Sequence, residues 1–305
     1  MTRFTLLIGC LLVCAAGVPR PLFRAAWPSR FPRSALAVWM VLVVTVSAAA
    51  VAAVLITARH VVRHSMGLAA LRCCVAPLSS PVLSRLVAVL CLAATVWGAA
   101  AVLRAAFVGG RALRRLRKGW RGHVAALDLL ARPIPGLAAL VLEHSAPAAY
   151  CVPTRGGRVV ITSGALSRLT PSEGAAVVEH ERAHLLGRHH LLTAVTTCLA
   201  RAFPHVPLFR LARAAVARLV ELAADDRASR HCRSDVVVGA LRVLAAETGT
   251  PAAQRTDDRR IPERIHRLHR IPRTMSWQAM TATAGFLAAI GPLPVITVWA
   301  WTGGC

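Results

Sequence analysis

The chain has 305 residues, 56% of them hydrophobic, with 13 acidic side chains against 37 basic ones and a formal charge of +24. Such a charge suits a nucleic-acid binder, but its distribution argues against that reading. No Asp or Glu precedes Asp128, and in that half the Arg residues stand mainly between long apolar runs, as in an integral membrane protein.

Four apolar stretches, 4–18, 34–56, 86–103 and 279–301, are expected to span a membrane, since about 20 apolar residues cross the hydrocarbon core. The third reaches that length with Arg85 and Arg104 snorkelling at its ends. The first is short and competes with a cleaved signal peptide. No small-x-small site follows it cleanly, and "LIGC" at 7–10 has too few apolar residues before it for a lipidation box, so it is read as a span. Basic loops set the orientation. Arg20, Arg24, Arg30 and Arg33 follow the first span, and Arg111, Arg114, Arg115, Arg117, Lys118 and Arg121 follow the third. Both loops are therefore expected on the cytoplasmic side of a multi-pass protein of the cell membrane, with both termini outside.

The expected organisation is a three-span region (1–108), a cytoplasmic domain (109–275), and a fourth span with a short outer tail (276–305). The expected fold class is a mostly α membrane protein with an α+β domain between spans three and four. Nine cysteines lack C-x-x-C spacing, which argues against a zinc ribbon. Cys73, Cys74 and Cys305 fall on the expected outer side, where a disulfide is allowed.

Within 109–275, "LAALVLEH" (137–144), "AAYCV" (148–152) and "RVVIT" (158–162) read as short strands of a meander, punctuated by Pro147, Pro153 and Gly156-Gly157. "SGALSRL" follows as a short helix. "TPSE" (170–173) then opens a longer one, with Thr170 as N-cap, Pro171 in the first position and Glu173 closing a capping box.

That helix carries "VVEHERAHLLGRHH" (177–190), in which His180, Glu181 and His184 spell H-E-x-x-H. Two histidines four apart share a helix face and can converge on one metal ion. Glu181 lies about 100° round, placed to reach a water rather than the metal. The same string with Gly187 and His190 also reads H-E-x-x-H-x-x-G-x-x-H. On a continuing helix, however, His190 would lie about 15 Å beyond His180 and point elsewhere. It binds the same metal only if the chain breaks at Gly187. The methionine turn such sites need is missing too: the methionines that remain downstream are Met275 and Met280. His190 is read as a surface or interface residue.

The competing third ligand lies in "ELAAD" (221–225), within a helical run from about 206 to 230. Glu221 and Asp225 share a face, near Ala214, Ala217 and Ala224, which permit close packing on the metal helix. A first carboxylate that coordinates and a second that holds a ligand histidine suit one Zn2+ per chain. The bland alternative is an Arg218–Glu221 pair on a solvated face.

These stretches, with "RIPERIHRL" (260–268), resemble the membrane-anchored gluzincin peptidases: the HtpX and CAAX-prenyl-protease group and the BlaR/MecR sensor peptidases. The resemblance covers about 138–270. It implies a zincin-like metallopeptidase with His180, His184 and Glu221 on zinc, Glu181 as catalytic glutamate and Asp225 as the second acid. Ala148 stands where the family often has Asn, a departure that touches substrate alignment and not the metal. No sensor domain follows before Cys305, so β-lactam sensing is not expected.

The expected function is zinc-dependent endopeptidase activity on protein or peptide substrates at the membrane, in quality control or regulatory proteolysis. His231, Arg227 and Arg264 are candidate oxyanion donors. The rival is a signalling or scaffold membrane protein with a non-catalytic zinc site. The intact Glu181 argues against it.

Overall fold

The computed structural model describes residues 13–64, 81–154, 156–245, 261–270 and Gly285. Residues 4–12 of the expected first span, all of the fourth but Gly285, and Cys73, Cys74 and Cys305 lie outside the described residues.

Two long helices dominate. A short π-helical turn (Val13–Gly17), α1 (Pro19–Arg24) and α2 (Trp27–Arg30) lead into α3, Pro32–His64, and α4 runs over Pro81–Leu130. Pro32–Leu55 and Leu92–Leu130 are the described helical segments long and apolar enough to cross a membrane. The two helices touch where Gly98, lacking a Cβ, lets Val54 approach.

The first turns of α3 have a second partner. Ala35, Leu36, Val38, Trp39, Leu42, Val43 and Val46 recur at helical spacing and are buried. They share one core with Leu208, Phe209, Ala212, Val216, Leu219 and Leu222 of the later helix Pro207–His231. Val44, Val51 and Leu55, on the other side, are exposed. On α4 the apolar residues Val89, Leu92, Val96, Trp97, Leu103 and Phe107 all face outward.

At about 1.5 Å per residue, α4 is roughly 75 Å long and continues far beyond its apolar half. Its far end reaches a four-stranded sheet: β1 (Arg132–Pro133), β2 (Leu140–Leu142), β3 (Ala149–Val152) and β4 (Arg158–Thr162). The strand order is β1-β2-β4-β3, with β2 parallel to β4 and β3 antiparallel to it at the edge. The expected meander is thus corrected, because the chain crosses the end of β4 between β2 and β3. Thr162 pins that crossing. Its Oγ1 accepts from Ala148 N at 2.9 Å and donates to the Ala146 carbonyl at 2.9 Å. Gly164 lets the crossing pass, since a Cβ there would collide with the Ser145 carbonyl.

Side-chain alternation along β4 divides two cores. Val160 joins Val152 and Leu127 of α4, while Val159 and Ile161 face Val177, Val178 and Ala240. Helices α5 (Ser163–Leu166), α6 (Pro171–Leu186), α7 (His189–Ala202), α8 (Pro207–His231), α9 (Ser234–Ala245) and α10 (Ile261–Arg270) complete the described fold. The fold is mostly helical with one small mixed sheet. The capping box of α6 forms as expected: Glu173 N donates to Thr170 Oγ1 at 3.3 Å and Thr170 N donates to Glu173 Oε2 at 2.9 Å.

Candidate metal centre

Helices α6 and α8 cross closely because small side chains meet between them. Ala176, Ala183, Ala224 and Ala228 are all buried there, while Ala214 and Ala217 are half-buried. This approach brings His180 and His184 against Glu221. The two Nε2 atoms are 3.2 Å apart, His180 Nε2 is 3.5 Å from Glu221 Oε2, and His184 Nε2 is 3.6 Å from Glu221 Oε1. A tetrahedral ion with bonds of about 2.1 Å needs donors roughly 3.4 Å apart, so the set fits a small metal ion and leaves one position open.

The outer nitrogens are also engaged. His180 Nδ1 lies 3.1 Å from Asp225 Oδ1. Asp225 is fully buried and accepts two hydrogen bonds from Arg264, at 2.7 Å from Nε and 2.6 Å from Nη2. Arg264 Nη1 also lies 3.4 Å from Glu221 Oε2. On the other ligand, His184 Nδ1 lies 3.1 Å from His189 Nδ1, and His189 is buried.

Sequence reasoning missed His189. The chain does break at Gly187, and Arg188 adopts the left-handed conformation at φ 48°. The break ends α6 at Leu186 and starts α7 at His189, so it is His189 that folds back onto the site. His190 turns away, its ring 5.7 Å from that of Trp120. The available signal was Gly187 itself, a residue that favours helix ends.

The charged groups of the site act strongly on one another. Burial works against protonation of His180, but its bonds to Asp225 and Glu221 prevail and hold its pKa up at about 10. Burial brings His184 down to about 4, and likewise His189, aided by the neighbouring His184. For Glu221, His180 overcomes the effect of burial and keeps the carboxylate ionised below the usual range. Asp225 is also held low, burial being outweighed by Arg264. Burial raises the pKa of Glu181, whose carboxylate accepts a hydrogen bond from the Cys151 thiol on β3. Burial and Glu181 together push that thiol up to about 12.

Of the three candidate oxyanion donors, Arg264 reaches the site's carboxylates. His231 is exposed, with Nδ1 3.1 Å from the Arg227 carbonyl and 3.8 Å from Glu179. Arg227 Nε is buried without a hydrogen-bond partner among the described residues. Arg218 pairs with Glu263 rather than Glu221, at 2.9 Å from its Nε.

The family model of peptidase family M48 matches residues 115–245, a span that holds His180, Glu181, His184, Glu221 and Asp225 and stops short of Arg264. No curated protein and no solved structure matched the chain. The two crossed helices and the family match point the same way: over 115–245 the chain is similar to the metallopeptidases of family M48.

Proposed function

We propose that the chain is a membrane-anchored zinc endopeptidase, acting in membrane-protein quality control or regulatory proteolysis. The observation that carries this is the convergence of His180 Nε2, His184 Nε2 and the Glu221 carboxylate, with each histidine's other nitrogen already engaged. Two imidazoles and one carboxylate are a catalytic zinc donor set with an open position. Bound there, zinc would polarise the scissile carbonyl and make a water acidic enough to lose its proton near neutral pH.

Glu181 takes that proton and passes it to the leaving amine. Its raised pKa makes it the stronger base for the first step and a competent acid for the second. Asp225 and Arg264 hold His180 in the orientation the metal needs.

The substrate lies along β3. Thr162 N donates to the Ala148 carbonyl at 2.9 Å, which fixes the ladder's alternation. Tyr150 and Val152 therefore bond to β4, while the N–H and C=O groups of Ala149 and Cys151 face the open edge. An extended peptide added there by strand pairing passes beside Glu181.

Pro32–Leu55 and the apolar half of α4 anchor this unit in the membrane, with 109–275 on the cytoplasmic side and two further spans at 4–18 and 279–301. The three-part organisation 1–108, 109–275 and 276–305 belongs to this reading.

The test is zinc per chain in detergent-purified protein. Wild type should hold one zinc, Glu221→Ala should lose it, and His190→Ala and Glu181→Gln should keep it, with Glu181→Gln no longer hydrolysing peptides. Loss in His190→Ala with retention in Glu221→Ala would overturn the ligand set. Undiminished hydrolysis by Glu181→Gln would overturn the catalytic role.

A further inference from the structure

We infer that His189 is a positioning residue for the metal ligand His184, acting as a hydrogen-bond acceptor, and that Gly187 is required for it to do so. The inference rests on the metallopeptidase reading and adds a partner for the second histidine.

The argument begins with protons. For His184 to offer the lone pair of Nε2 to a metal, its own proton must sit on Nδ1. That N–H points at His189 Nδ1, 3.1 Å away in a buried site, and needs an acceptor there. His189 can accept only as a neutral ring with its proton on Nε2. With His184 Nε2 given to a metal, the contact therefore requires the Nδ1–H tautomer of His184 and the Nε2–H tautomer of His189. The two ligand histidines are thus held differently: His180 by a carboxylate and His184 by an imidazole.

The backbone is built for this contact. Arg188 in the left-handed region reverses the chain within two residues of the end of α6. The His189 ring then lies over Gly187, where any Cβ would collide with Nε2. Gly187 itself has an ordinary helical φ of −77°, so it is the ring and not the backbone that demands glycine.

The experiment measures zinc affinity by competition with a chromophoric chelator, using full-length protein in detergent, with thermal unfolding of the metal-free protein as the control for folding. His189→Leu keeps apolar bulk without an acceptor. His189→Asn places an oxygen acceptor where Nδ1 was. Gly187→Ala displaces the ring and leaves His189 present. His189→Leu and Gly187→Ala should each weaken zinc binding 10- to 100-fold, the range for loss of a ligand's hydrogen-bond partner, and should not add when combined. His189→Asn should stay within a few-fold of wild type. A packing role alone predicts the reverse order, with Leu tolerated and Asn not, and that order would overturn the inference. Equal binding by all variants would overturn it too. If wild type itself takes up no zinc while folded, the metallopeptidase reading falls, and this inference with it.

Discussion

His180 and Asp225 are joined, Nδ1 to Oδ1, at 3.1 Å, and Arg264 grips the same carboxylate from the other side. The chain of three fixes which nitrogen of His180 faces the metal site. Removing the middle member should cost the metal: Asp225→Ala is expected to lower zinc affinity 10- to 100-fold. Removing the outer member should cost the fold, because Asp225 is then a buried charge without its main partner. Arg264→Ala is expected to destabilise by about 3–5 kcal/mol, read from thermal unfolding in detergent. An Arg264→Ala protein as stable as wild type would mean that water replaces the guanidinium and that the site is wetter than its burial indicates.

The same pair sets a proton count. In the metal-free protein His180 is held up at about 10 and is an imidazolium at pH 7, while His184, near 4, is neutral. A metal needs both neutral. Zinc binding at pH 7 should therefore release about one proton, from His180. Calorimetry in buffers of different ionisation enthalpy measures that number. The sign for the metal-free fold follows from the raised pKa. Its contribution to stability is complete below the ordinary value of 6.5 and is lost as pH rises through about 10. Zero protons released would mean that His180 is already neutral and that the carboxylates carry less charge than assigned.

What the sequence disclosed about this site was whatever depends on short helical spacing. His180 and His184 lie four residues apart and meet, Glu221 and Asp225 lie four apart and both reach His180, and the Thr170–Glu173 cap closes over three. His189 was hidden because it leaves the helical wheel at one left-handed residue, Arg188. The sheet order was hidden for a related reason. Three short apolar strands look alike, and it is the contacts of Thr162 and Gly164 with the 144–148 crossing that accompany β4 pairing between β2 and β3. The letters of 34–56 do not tell a lipid-facing from a protein-facing apolar side chain, so the packing of the first turns of α3 on α8 was hidden as well. Trp39 and Leu42 face protein.

Substrate pairing at the β3 edge is tested at Cys151. Its N–H faces away from β4, so proline there removes one donor from the substrate and leaves the sheet ladder intact. Cys151→Pro is expected to lower kcat/KM by up to about tenfold, the value of one hydrogen bond, with zinc content unchanged. Cys151→Ala separates the thiol from the backbone and should stay close to wild type. If Cys151→Ala loses as much, the thiol's bond to Glu181 matters and the strand pairing does not.

The position of α3 makes a stability prediction that a simple membrane helix would not. Leu42 is fully buried in a core shared with Leu208, Val216 and Leu219 of α8, the helix that carries Glu221 and Asp225. Deleting its side chain opens a cavity in that core, and Leu42→Ala should destabilise by about 2–5 kcal/mol. Two positions on, Val44 is 58% exposed on the opposite side, and Val44→Ala should change stability by less than about 0.5 kcal/mol. Unfolding is best followed by release of zinc, since that reports on α8 directly. A large loss for Leu42 and none for Val44 places the start of α3 inside the peptidase unit. Equal, small effects would separate the helix from that core and leave it as an anchor alone.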